Sequence, residues 1–325
     1  MDPGPRDLYD GMIMQQHTIH TPYLVGETHF YTTEIDGEPV LFDTGPATEE
    51  GRDFLRRSVD LGRLKHVFIT HCHVDHYGLA RFIGENSDAR IYIPRKDALK
   101  LRHHGMRLTH IEDELEGMGF GRDYIQQFRD VVDQNSIFPG VPEKFTIVEE
   151  SPEPVRLGIQ IIACPGHSQS DLVYKVGAQA VTGDILLHNI FQAPLLDIDL
   201  ETFAGRFRNY EAYCASLLKL GELRDCEILP GHRHTVESLE GTILFYVGKI
   251  FERAQRLKEF PHALPVRRLI DQLFGDALND PFVTFLKVSE IAFMQDFLDD
   301  PLLLKASLEE LGLFHKIRFA YAAVA

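Results

Sequence analysis

The chain has 325 residues, 25% charged and 44% hydrophobic, the proportions of an ordinary globular protein with a full buried core. Its 33 basic residues against 49 acidic give a formal net charge of −16, which repels a phosphate backbone and argues against a nucleic-acid partner. No apolar stretch approaches a membrane span, and the opening "MDPGPRDLYDG" lacks the basic end and apolar run of a secretory signal, so a cytoplasmic protein with no membrane partner is expected.

In chain order, "MIMQQHTI", "ETHFYTTEI" and "EPVLFDTG" read as short strands, with Asp36-Gly37 the clearest turn between them. They predict a β-meander opening a sheet. "ATEEGRDFLRRSVDLG" has helical spacing, with Phe54, Leu55 and Val59 on one side and acidic residues in the first turn. "HVFIT" then reads as a buried strand, and beyond the segment "THCHVDHYG" at 70–78, "GLARFIGENS" predicts a helix and "ARIYIP" a strand stopped by Pro94. The β-α-β pattern implies a covered sheet. Residues 95–143 read as a helical insertion, with periodic "KDALKLRHH" and "RDYIQQFRDVVDQ" around a glycine-rich "GMGFG" at 117–121. Strands resume at "KFTIVE", "IQIIACPG", "LVYKV" and "QAVTGD", a helix covers "YEAYCASLLKL", and "CEILPG" is a last buried strand. Beyond residue 236 the chain reads almost wholly helical.

"THCHVDHYG" carries His71, Asp75, His73 and His76 within six positions. His71 and His73 are two apart, which on an extended backbone points both rings the same way. Imidazole and carboxylate are ligands for zinc, iron or manganese, but four such groups cannot complete two coordination shells. Further candidates stand after other apolar strands: His167 ending "CPGH", Asp184 ending "TGD" and His232 ending "LPGH". Loops at the carboxyl ends of neighbouring strands converge on one sheet edge, so seven ligands, enough for two metals, are expected to meet there.

HxHxDH at 71–76, followed by His167, Asp184 and His232 and preceded by "FDTG" at 42–45, resembles the metallo-β-lactamase superfamily across about residues 12–235. The resemblance implies an α/β fold, the four-layer αβ/βα sandwich with metals at one edge. It implies a catalytic domain over 1–235, interrupted by the helical insertion at 95–143, a lid in one reading, and followed by a C-terminal helical extension over 236–325. It also implies that His71, His73 and His167 hold one metal, that Asp75, His76 and His232 hold the second, and that Asp184 bridges them. Two divalent ions would be the cofactors, zinc first and iron or manganese as alternatives. A hydroxide shared between them would be the nucleophile of a hydrolysis, with Asp75 both ligating a metal and orienting that hydroxide.

Asp43 in "FDTG" is expected to support the ligand loops by hydrogen bonds rather than to touch metal. Cys72 lies between two inward-facing ligands and so should face away, and Cys164 reads as a small buried side chain. All four cysteines, with Cys214 and Cys226, are widely spaced and read as reduced thiols. His188 and His234 follow the candidate ligand positions closely and are candidates to line the pocket, while His103-His104 reads as surface.

The apolar residues of "MGFG", "YIQQF" and "SIFPG" suit either a cover over an acyl group or simple packing of the insertion. The expected substrate is a small ester, thioester or lactone, as in glyoxalase II-like and lactonase-like branches. A phosphodiesterase or ribonuclease of the same fold is the alternative. Weaker ones are a signalling or binding protein that keeps its metals without turnover, and a di-iron redox protein, whose relatives carry Glu where His73 stands. The apolar tail leaves a homodimer open.

Overall fold

The computed structural model describes residues 13–133, 140, 142–275 and 278–325. The opening "MDPGPRDLYDG", Met12 and all of "SIFPG" except Gly140 lie outside the described residues. Two sheets stack face to face. The first has six strands in the order β1 (Gln15–His20), β2 (Glu27–Ile35), β3 (Glu38–Phe42), β4 (His66–Phe68), β5 (Arg90–Ile93) and β6 (Thr146–Ile147). The first three form an antiparallel meander, and β3 to β6 run parallel. Asp36 and Gly37 both take positive φ, 51° and 78°, as a tight two-residue hairpin requires.

The second sheet is ordered β10 (Glu227–Pro230), β9 (Gln179–Gly183), β8 (Leu172–Val176) and β7 (Ile159–Ala163). Here β10 is parallel to β9, and β8 is antiparallel to both β9 and β7. β7, β9 and β10 therefore end at one edge.

Alternation along the strands makes the layers. Phe42, Phe68 and Tyr92 of the first sheet meet Tyr174, Val181 and Leu229 of the second in a shared inner core. Leu41, Val67 and Ile91 face the other way, into a core with Leu55 of α1 (Glu49–Ser58), Ala80 and Ile83 of α3 (Ala80–Asn86) and Ala98 of α4 (Arg95–Arg102). Val173, Ala180 and Ile228 face a third core, built with α5 (His104–Gly117), α6 (Arg122–Val132) and α8 (Asn209–Leu220). The tail joins that same core through α9 (Leu239–Leu257), α10 (Val266–Phe274), α11 (Pro281–Asp299), α12 (Pro301–Glu310) and α13 (Phe314–Val324). Helix, sheet, sheet, helix gives the expected αβ/βα sandwich with its helical extension.

Helix ends follow local chemistry. Thr48 caps α1 by accepting from Gly51 N at 2.9 Å, with Glu49 and Glu50 in the first turn and Arg56 and Arg57 in the last. Asp280 caps α11 through Phe282 N and Val283 N, both at 2.8 Å, ahead of Pro281.

Candidate metal centre

Four chain segments reach the edge where the strands end. His71 and His73 follow β4, and Asp75 and His76 sit in a one-turn helix, α2 (Val74–Tyr77). His167 lies in the turn between β7 and β8, Asp184 directly follows β9, and His232 follows β10. Bonds between the sheets fix this edge: Leu172 N donates to Thr70 O at 3.0 Å, Tyr174 Oη to Ile69 O at 2.7 Å and His29 N to Gly231 O at 2.7 Å.

The seven side chains form two adjoining groups. In the first, His73 Nδ1 is 2.9 Å from His71 Nε2 and 3.0 Å from His167 Nε2. In the second, His232 Nε2 is 3.1 Å from Asp75 Oδ2, and His76 Nε2 is 3.7 Å from the same oxygen. Asp184 faces both. Its Oδ2 is 3.5 Å from His167 Nε2 and 3.9 Å from His71 Nε2, whereas its Oδ1 is 3.2 Å from His232 Nε2 and 3.3 Å from His76 Nε2. This is the disposition expected of a carboxylate shared between two ions.

The donor set fits cations. Asp75 Oδ2, His76 Nε2, Asp184 Oδ1 and His232 Nε2 are buried and make no hydrogen bond of acceptable geometry, although each has another of the four nearby. Buried polar atoms are rarely left so, because each forfeits its hydration. Electrostatics point the same way. Burial opposes protonation of His76, yet the carboxylates of Asp184, Asp75 and Asp43 raise its pKa well above the ordinary value. Burial likewise works against the His232 cation, and Asp184 and Asp75 outweigh it to bring His232 to about 10. The cluster calls for positive charge. His71 and His73 go the other way, well below the usual range, through burial first and neighbouring imidazoles after it, so their nitrogens keep free lone pairs.

Each candidate-ligand ring but that of His73 is oriented through its other nitrogen. His76 Nδ1 bonds Asp43 Oδ2 at 2.8 Å, His71 Nδ1 pairs with Thr70 Oγ1 at 3.1 Å, His167 Nδ1 donates to Ala193 O at 2.8 Å, and His232 Nδ1 to Glu27 O at 2.6 Å. Such outer bonds set ring orientation and tautomer. Asp43 also accepts from Thr70 N at 2.8 Å and Thr70 Oγ1 at 2.9 Å, thus holding both backbone and a candidate-ligand His. It does so from φ 58°, a strained setting for a non-glycine residue. Glycine is required at 231, where a Cβ would stand 2.5 Å from His76 Cε1 and 2.9 Å from Asp184 Oδ1.

The residue model of the metallo-beta-lactamase superfamily matches positions 25–232, which span every side chain in this cluster. The chain belongs to the metallo-beta-lactamase superfamily. Within curated proteins it is 26% identical over 322 residues to the probable metallo-hydrolase YqjP of Bacillus subtilis, covering 86% of this chain and 90% of the relative. A shorter stretch, 52 residues and 16% of each chain, is 44% identical to ribonuclease Z of Halalkalibacterium halodurans. Among solved structures, a metallo-beta-lactamase family protein of Thermus thermophilus superposes with a TM-score of 0.65 at 16% identity, over 89% of this chain and 94% of that one, a likeness of fold.

Cys72 is buried in the core beneath α3 and α4, and burial pushes its thiol well above the usual range. Cys164 is buried in the core between the second sheet and its helices, its thiol raised to about 12 by burial. His188 and His234 stack edge to face with centroids 6.4 Å apart, His188 half-buried and His234 exposed, and neither belongs to a candidate ligand group. His103 packs on Phe203, with ring centroids 5.1 Å apart, and His104 Nε2 lies 3.3 Å from Asp133 Oδ1.

Two supports carried no sequence signal. His29 bonds Thr18 Oγ1 at 3.0 Å and Arg233 O at 2.6 Å, fixing the loop that presents His232. Asp171 accepts from Ser168 N and Ser168 Oγ, each at 2.6 Å, and so closes the turn that presents His167. A lone His in a strand and an Asp beside serines look like any others until the chain folds.

Proposed function

We propose that this protein is a dinuclear-metal hydrolase of small acyl compounds, an ester, thioester or lactone. The observation that carries the reading is Asp184, whose two oxygens divide between one imidazole group and the other. His71, His73 and His167 would hold one ion, and Asp75, His76 and His232 the second. Two divalent ions so placed supply Lewis-acid polarisation of a carbonyl and lower the pKa of water towards neutrality.

The chain's own residues supply position and exclusion. Asp43, Thr70 and the carbonyls of Ala193 and Glu27 hold the imidazoles in place, so little reorganisation is needed when charge develops on the substrate. Asp75, whose second oxygen need not ligate, would accept a hydrogen bond from an attacking water. Acyl rather than phosphoryl chemistry is favoured by the rim. The β1–β2 turn, rooted where Thr28 Oγ1 meets Asp75 O at 3.4 Å, carries Tyr23 beside an exposed Leu24 and Val25. Burial and then the Asp75 charge raise the Tyr23 phenol above its usual value. An apolar rim on a chain of net charge −16 suits an acyl group better than a polyanion.

Metal analysis followed by a panel of thioesters, lactones and bis-p-nitrophenyl phosphate tests the reading. Turnover of thioesters or lactones is expected. Turnover of the phosphodiester alone would overturn the acyl assignment and install the ribonuclease-like one.

A further inference from the structure

We propose that Asp97 and Lys100 of α4 are positioning residues for one half of the centre, the metal of His71, His73 and His167, and that the helical insertion is what assembles that half; this rests on the two-metal reading. Two successive peptide groups join His71 to Cys72 and Cys72 to His73, and their tilt sets where both rings point. α4 holds both. Cys72 N donates to Asp97 Oδ2 at 2.6 Å, Lys100 Nζ donates to Cys72 O at 3.3 Å, and Lys100 Nζ is 2.6 Å from Asp97 Oδ1. Asp97 is fully buried and Lys100 is 7% exposed.

A pair spaced i, i+3 on a helix surface would contribute little. Buried, it carries a desolvation cost that two apolar side chains would avoid, so a reason other than stability is required. The two peptide groups beside Cys72 supply that reason. The next insertion helix acts on the remaining ligand of the same half. Arg107 Nε of α5 donates to Asp197 Oδ1 at 2.7 Å, in the loop whose Ala193 O orients His167 and whose Leu195 N bonds His167 O at 2.9 Å. The other half is held from elsewhere: His76 by Asp43, His232 by Glu27 O and the Asp75 backbone by Thr28. Asp43 also reaches His71 through Thr70, and what sets the first half apart is the added hold of α4 and α5.

The test is a zinc titration of the full-length protein against a competing chelator, with metal content measured after dialysis. Asp97→Asn is the direct variant. The double variant Asp97→Leu/Lys100→Met removes both buried charges together and so preserves the fold if the single variant does not. Zinc affinity at one of the two sites is expected to fall about 10- to 100-fold, with wild-type circular dichroism. Repeating the double variant in a His167→Ala background, which lacks a ligand of the affected half, should leave the remaining site within about threefold. A folded double variant that binds both ions as the wild type does, or loses both equally, overturns the proposal. Wild-type protein that takes up fewer than two ions overturns instead the two-metal reading beneath it.

Discussion

At the scale of single residues, the site separates groups that would touch metal from groups that aim them. His71→Ala or Asp184→Ala is expected to lose metal and activity together, whereas Cys72→Ala, whose side chain packs away from both groups, should keep both; metal content after gel filtration decides. Asp43→Asn retains a residue tolerant of positive φ but replaces the acceptor that His76 and Thr70 share. It should weaken metal affinity about 10- to 100-fold while the protein still folds. Gly231→Ala drives a methyl group into His76 and Asp184, and metal content should fall even though no ligand has changed. The candidate ligands stood out in sequence because metal chemistry restricts residue type and each of their segments followed an apolar strand. Their supports did not, since His29, Asp97, Lys100 and Asp171 acquire meaning only from partners distant in the chain.

At the scale of elements, periodicity located most helices and strands, and the exceptions have local causes. "KFTIVE" reads as a full strand, yet only Thr146 and Ile147 pair. A 3-10 turn over Val148–Glu150 follows, and Glu149 accepts from Arg95 N at 2.9 Å, capping α4 instead of extending the sheet. The stretch from Asp184 to Arg208 has almost no regular structure and no period to read. It is held by side chains such as Asp197 and by Gln192 Nε2 on Ile185 O at 2.5 Å. In the insertion, Leu108, Ile111, Leu115, Phe120 and Phe128 turn inward to the core shared with the tail, and Arg267 N bonds Met118 O at 3.1 Å. Phe128, 1% exposed against Phe285 with ring centroids 4.5 Å apart, joins α6 to α11. Phe128→Ala should therefore cost about 3–5 kcal/mol of unfolding free energy. Zinc stoichiometry unchanged beside a lowered urea midpoint would show a packing role alone.

Across the whole molecule, the two sheets are joined at both ends by different chemistry. At one edge stands the ligand cluster, and at the other a charged network. Glu38 of β3 bonds His66 Nε2 at 2.6 Å and Arg156 Nη2 at 2.7 Å, and Arg156 also reaches Glu153 at 2.5 Å from α7 (Glu153–Arg156), the turn that leads into β7. Arg90 of β5 meets Glu153 at 3.1 Å and completes the link. Hydrogen bonds from Arg156 and His66 lower Glu38 from 4.5 to about 2. A carboxyl whose folded pKa is depressed stabilises the fold above its unfolded value and ceases to do so as pH falls through the folded one. The contribution of Glu38 is therefore complete above about pH 5 and disappears between pH 4.5 and about 2. Its side chain is 33% exposed and screened by solvent, so the effect is about 1 kcal/mol or less. Thermal melts of wild type and Glu38→Gln from pH 7 to pH 2.5 should show a constant gap in Tm down to about pH 5 that then closes. Acid would also strip any metal that the imidazoles hold, but that loss would be common to both proteins and cancel in the difference. A gap that persisted unchanged to the lowest pH would mean that the charge of Glu38 does not hold this edge together.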